Sequence, residues 1–265
     1  MTAGIMGAGG GASLPAAVFE LDAGLSASYA SGQTWANIVA APADGSGITA
    51  YDFLRGNTSG AEATDPTFNG VAGTNSAAEF WSFDGGDYFT LTGSTTAFLS
   101  SIHKAAATFT WYAFAQTGSS SCAGGFCGTT NTTDTGFHIE GTGGSGVNLT
   151  FAVYNAGVSV ISKSASSFMA TGTKYMLALS YNEAAASGFF YKNNGSGRTV
   201  SAFTGAYSSP SSSAASHKIQ VGARSDNASP FPADTQLWRT GMFNRPLTAA
   251  QLDRIYNLYK FKLGL

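Results

Sequence analysis

Between Gln236 and Tyr259 the chain reads QLWRTGMFNRPLTAAQLDRIYNLY, and no other stretch constrains the fold as tightly. Leu237, Arg239, Gly241 and Phe243 alternate with Trp238, Thr240 and Met242, the period of a strand. Pro246 ends the sheet, because it has no N–H to donate to a ladder. Thr248 then suits an N-cap, and Gln251 three residues on completes a capping box, with Leu247 and Leu252 placed as a hydrophobic staple. Leu252, Ile255, Tyr256 and Tyr259 recur at helical spacing and form one apolar stripe, so a short amphipathic helix must close against something apolar. No comparable amphipathic stripe is expected elsewhere, so the chain has to bury this helix on a sheet.

The remaining segments have the period of strands. Expected strands cover 17–22, 48–54, 78–83, 108–116, 137–140, 147–154, 158–162, 174–182, 188–193 and 217–224. Asp84-Gly85 between alternating apolar runs predicts a hairpin. Segments 55–73, 122–135 and 201–210 are expected to be loops, rich in glycine, serine and threonine. About thirteen or fourteen strands, with no internal repeat, give a single β-sandwich over 16–265.

Charged residues make up 11% of the 265 residues, well under the roughly one quarter of an average protein. Aromatic residues at 13% supply a core, which excludes a disordered chain. A net charge of −2 with a pI near 5.9 offers no basic surface for nucleic acid. No apolar run reaches the ~18 residues of a membrane span, so no membrane insertion is expected. The opening MTAGIMGAGGGAS lacks a positive n-region and is a poor secretory signal. Residues 1–15 hold little apolar side chain, chiefly Ile5, Met6 and Leu14, and are expected to be a flexible attachment arm. Cys122 and Cys127 leave two readings open, free thiols in a loop or a small local disulfide.

Four stretches, in order, resemble laminin-G-like domains of the concanavalin A-like lectin and glucanase superfamily. They are Leu21-Asp22-Ala23 with Ser31-Gly32, Trp35 and Asn37; the hairpin Phe83 to Phe89; Lys174 to Asn182 followed by Tyr191 to Gly195; and Phe243-Asn244-Arg245 with Leu247, Thr248, Gln251 and Tyr256-Asn257. His217 to Arg224 is similar to a further strand of the family, while Lys174-Tyr175 stands where the family has Trp-His. The resemblance implies an all-β, concanavalin A-like jelly-roll sandwich of two antiparallel sheets with a short C-terminal helix. The first match is similar to tailed-phage proteins. It implies a non-enzymatic virion structural protein, a surface, spike or tail adhesion module contacting host-surface polysaccharide. Other virion proteins would be its partners through the N-terminal arm, and a homo-oligomer is expected. A secreted, extracellular bacterial lectin or adhesin is the alternative, and a glycoside hydrolase comes last.

Glucanases of this fold carry Glu-x-Asp-x-Glu on one strand. The nearest approach, Glu20-Leu21-Asp22, lacks the second glutamate, so no catalytic residue is assigned. His103, His138 and His217 accompany no nucleophile elbow. For ligand binding, Arg224, Asp226, Asn227 and Phe231 are expected exposed on a loop, and Trp238 is a stacking platform beside Trp111, Trp81 and Tyr154. Asp226, Asn227 and Asp234 are the candidate ligands for calcium, with Asp84 and Asp87 as further acidic turn residues.

Overall fold

The computed structural model describes residues 13–143, 147–225 and 227–265, so the expected arm, residues 1–12 of it, lies outside them, as does Asp226. Strands are numbered in chain order. The first six are short: β1 (Phe19–Asp22), β2 (Thr34–Trp35), β3 (Phe53–Arg55), β4 (Thr67–Asn69), β5 (Phe80–Phe83) and β6 (Phe89–Leu91). A five-residue helix, α1 (Ala97–Ser101), leads to β7 (Thr108–Gln116) and β8 (Gly124–Gly128). A meander follows, β9 (Gly136–Thr142), β10 (Asn148–Asn155) and β11 (Val158–Ala165), then β12 (Lys174–Asn182), β13 (Ser187–Asn193) and β14 (Arg198–Thr204). The chain closes with β15 (Gln220–Val221), β16 (Thr235–Phe243) and helix α2 (Ala249–Tyr259).

Two antiparallel eight-stranded sheets stack into a jelly-roll sandwich. The first runs β14-β13-β12-β7-β16-β5-β4, and the second β11-β10-β9-β8-β15-β6-β3-β2. One edge of β16 is shared. Its N-terminal part pairs with β5 and its C-terminal part with β1. On its opposite edge, the ladder with β7 carries a bulge between Leu237 and Arg239, which changes which residues point inward. Leu237 and Met242 join the core between the sheets, whereas Trp238 and Phe243 join a second apolar cluster on the outer face of the first sheet. Both faces of this strand are therefore buried.

The inner core is aromatic, with Trp35, Trp81, Phe89, Trp111 and Phe109 all fully buried. The outer cluster is sealed by α2. Its capping box is formed, and Leu252, Ile255 and Tyr256 pack on Tyr112, Phe114, Met176 and Tyr191. Leu14, placed with the arm by its sequence, packs against this cluster too.

Five expected segments differ from the fold. Ile48–Tyr51 is a 3-10 turn, and only Phe53–Arg55 of that segment pairs. The segment 55–73 contains β4, and 201–210 gives its first residues to β14. The glycine-rich segment 122–135 contains β8. A Cβ on Gly125 would stand 2.3 Å from the Ala223 and Arg224 backbone, so glycine here serves close approach of two segments and not turn-making. Of the strand expected over 217–224, only Gln220–Val221 pairs.

Candidate functional site

On the outer face of the first sheet α2 covers β12, β13 and the adjoining halves of β7 and β16, and leaves the β4–β5 edge open. Cross-strand register there assembles a polar row. Thr67 lies opposite Ser82, Ser82 opposite Gln236, Gln236 opposite Gln116, and Gln116 opposite Lys174. Parity explains the direction. Trp81, Phe83, Leu237 and Ala115 point into the core, so their neighbours Ser82, Gln236 and Gln116 point out. Each step between strands is about 4.8 Å.

Thr67, Ser82, Gln236 and Gln116 of this row line a pocket of about 560 Å³ that also includes Asn69, Phe80, Asp84, Asp87, Ser119 and Asp234. Asn69 Nδ2 donates to Ser82 Oγ at 3.0 Å and to Thr67 O at 3.1 Å, which fixes the edge strand. The amides of Gln116 and Gln236, both half-buried, make no hydrogen bond to protein among the described residues. Phe80 is half-buried, its ring tilted 47° against Trp238 at 5.3 Å, and it adds an apolar surface.

Two loops build the acidic wall. The expected hairpin does not form: β5 pairs in the first sheet and β6 in the second, so residues 84–88 are a crossover between sheets. In its turn Gly86 N donates to Asp84 Oδ1 at 2.9 Å and Asp84 N donates to Asp87 Oδ2 at 2.9 Å, the local bonding expected of an Asp-Gly turn. Asp87 is only 3% exposed. Burial pushes its carboxyl up to about 7; the Asp84 N–H works against this, while the charges of Asp84 and Asp65 add to it. Opposite, Ser119 Oγ donates to Asp234 Oδ2 at 2.6 Å, and Asp234 holds the left-handed φ of 65° that aspartate tolerates. Gly118 allows these loops to meet, since a Cβ there would lie 2.7 Å from both Ala233 O and Ser121 O.

The sequence-predicted residues are not gathered at one place. Asp234 lines the pocket just described. Arg224 lies on the second sheet's outer face, where its Nε and Nη2 bind Glu140 Oε2 at 2.7 and 2.6 Å. His138 Nε2 stands 3.3 Å from Glu140 Oε1, and the His138 ring is 5.5 Å from that of Tyr154. Burial alone would raise the Glu140 carboxyl, but His138 and Arg224 outweigh it and hold it low. A smaller hollow of about 400 Å³ opens beside Arg224, Glu140 and Thr142.

Asn227 is exposed, but its Oδ1 accepts from Gln220 Nε2 at 3.1 Å, so it belongs with the second sheet and not with Asp234. Of the calcium trio, Asn227 and Asp234 are therefore held by different partners and Asp226 lies outside the described residues; no group of three or more His, Cys, Asp or Glu that could hold a metal is found among the described residues. Phe231, expected exposed, is 2% exposed and packs edge-on to Phe83 and Phe126. Trp238 is 1% exposed, with Nε1 donating to Ala77 O at 2.9 Å. It supports Phe80 from beneath and offers no open face. Trp111 and Trp81 are buried as well, whereas Tyr154 is half-buried.

Glu20 and Asp22, the nearest approach to a glucanase pair, are both bound by the buried Arg239, at 2.8 and 2.6 Å. Lys262 Nζ reaches Asp22 at 2.8 Å, and the Tyr259 ring lies 3.8 Å from the Arg239 guanidinium carbon. These carboxylates anchor the C-terminal segment to the sheet. Cys122 and Cys127 are free, and both are buried in the core.

No family model matches the sequence, and no curated protein matches it. Solved structures do resemble the fold. A Trypanosoma rangeli sialidase mutant displaying trans-sialidase activity is 12% identical with a TM-score of 0.50, the match covering 95% of this chain and 35% of that one. The CBM40 of the Ruminococcus gnavus IT-sialidase, bound to α2,3-sialyllactose, is 12% identical with a TM-score of 0.49, covering 66% of this chain and 95% of that one. The likeness is one of fold.

Proposed function

We propose that this chain is a non-enzymatic saccharide-binding module whose site is the pocket at the β4–β5 edge. One observation carries the reading. Two adjacent amides, Gln116 and Gln236, face an open pocket with their hydrogen-bonding groups unspent, between carboxylates on one side and the Phe80 ring on the other. Amides and carboxylates together read vicinal hydroxyls, which both donate and accept, and an aromatic ring covers the apolar face of a pyranose. The site rests on strands, which hold it rigid.

The expected test is titration calorimetry against a panel of oligosaccharides. At least one binds, and the double variant Gln116→Ala/Gln236→Ala weakens it tenfold or more. Absence of binding across the panel, or unchanged binding by the variant, would sink the reading.

The finer reading keeps the module on a tailed-phage virion, attached through residues 1–15 and oligomeric there, with secretion from a bacterium as the alternative. It rests on the sequence resemblance at Leu21-Asp22-Ala23, Trp35 and Asn37. Particles assembled with a chain lacking residues 2–13 should lose this protein; normal incorporation refutes the attachment arm. Hydrolysis is the second reading, favoured by Asp87, whose carboxyl stays protonated up to about pH 7 as a general acid requires. Against it, Asp87 is almost closed off and bonded to the Asp84 N–H. Release of reducing ends from the bound oligosaccharide, abolished by Asp87→Asn, would reverse that judgement.

A further inference from the structure

We propose that this pocket selects by charge, accepting a saccharide unit that presents hydroxyl or ammonium donors and rejecting one that bears an acidic group. The inference rests on the saccharide-binding reading and sharpens it.

Among the described residues, three carboxylates, Asp84, Asp87 and Asp234, line the pocket, and no lysine, arginine or histidine does. Their protein donors are few: Gly86 N on Asp84, Asp84 N on Asp87, and Ser119 Oγ on Asp234. Asp87 is nine-tenths buried and lines the pocket, and it faces Asp84 without any cation to offset either charge. The nearest basic residue in the row, Lys174, is turned away. Its Nζ donates to Leu263 O at 3.0 Å and sits 5.2 Å from the Trp238 ring centre. Carboxylate repulsion therefore acts on any incoming anion at short range, in a hollow where water screens it less than in bulk.

Donors are a different matter. A hydroxyl or ammonium finds acceptor oxygens on all three aspartates, while the Gln116 and Gln236 NH2 groups remain for hydroxyl oxygens. At the oxidised position a carboxylated sugar would lose the donor that the aspartates can accept and add a like charge, and its carboxylate would have only neutral donors such as the two amides to bind it. The other outer face makes the contrast physical. Its arginine could have served an anion, but Arg224 is spent in a two-nitrogen contact with Glu140.

The test uses the full chain and matched ligands at pH 8. The tightest neutral oligosaccharide from the panel is compared with the same oligosaccharide oxidised at C6 to its uronic acid. The neutral form should bind at least tenfold more tightly, and Asp84→Asn/Asp234→Asn should narrow the gap. A neutral-to-acidic ratio near one, with acidic binding lost in Gln236→Ala, overturns the charge selection and leaves the saccharide-binding function standing. A ratio that the double Asn variant leaves unchanged also overturns it, because the discrimination would then be steric. Failure of every oligosaccharide to bind removes the function and the selection together.

Discussion

The two outer faces of the sandwich both carry polar residues where a plain strand would carry solvated ones, yet they use them in opposite ways. On the second sheet, Arg224 and His138 satisfy Glu140, while the buried His138 Nδ1 is left without a partner. The glutamate takes two guanidinium nitrogens and one imidazole nitrogen, and the cluster is mostly buried. On the first sheet, Gln116, Gln236 and the aspartates are held in position but left with capacity to spare. Charge and residue type alone would favour the arginine cluster as the binding site. Counting which hydrogen bonds are already made favours the amide row. A buried ion pair that is complete within the protein is a structural device, and removing one partner exposes how much it was holding.

The sharpest way to break this comparison is Glu140→Ala. It leaves Arg224 and His138 facing each other in a mostly buried site without their anion, and should destabilise the fold by about 3–5 kcal/mol. Urea unfolding reads the loss directly, and oligosaccharide affinity of the folded fraction should stay at the parent value. A variant that keeps its stability and loses affinity would transfer the binding role to the second sheet.

The comparison also shows what a sequence yields and what it withholds. The closing strand and helix were legible because their signals are local: Thr248 and Gln251 are three residues apart, and both bonds of the capping box form. The Asp84-Gly85 turn was legible for the same reason, but not its consequence, because β5 and β6 pair in different sheets and the expected hairpin is a crossover. The pocket was not legible. Thr67, Ser82, Gln116 and Gln236 are scattered over the chain and meet only through the order and register of four strands. Alternation with Trp81, Ala115 and Leu237 could have assigned each to the outer face, but nothing local says which strands are neighbours. Phe231 and Trp238 were misread as accessible because loop membership and aromatic character do not reveal burial. The tie of Arg239 to Asp22 and Glu20 spans over two hundred residues and left no trace in spacing.

A smaller effect should come from pH. The folded-state carboxyl of Asp87 sits at about 7, above the roughly 3.9 of an unfolded aspartate, so the folded chain binds the extra proton. Its contribution to stability is therefore complete below about pH 4 and is lost as pH rises to about 7. Asp87→Asn, which mimics the protonated form, should melt at or above the parent near pH 8 and lose that advantage towards pH 4. Parallel melting curves for the two proteins across this window would mean that Asp87 is ionised in the folded pocket. The acidic wall would then carry its full charge throughout.

The smallest change in stability is expected where the functional effect is largest. Gln116 and Gln236 are half-buried and bonded to no protein group among the described residues, so truncating them strands no partner. What is lost is modest contact of two side-chain stems with their neighbours across the strands. Each alanine should therefore shift stability by no more than about 0.5 kcal/mol, the usual range for a surface site free of special features. The pair should add with little coupling beyond their direct contact, which a double-mutant cycle in urea would measure. Such a result separates the two faces cleanly, one holding the fold together and the other available to a ligand. A loss of several kcal/mol from the double variant would instead show that the amides stitch β7 to β16. The pocket would then be as fully committed to structure as the Arg224–Glu140 cluster, and the ground for placing a saccharide in it would be gone.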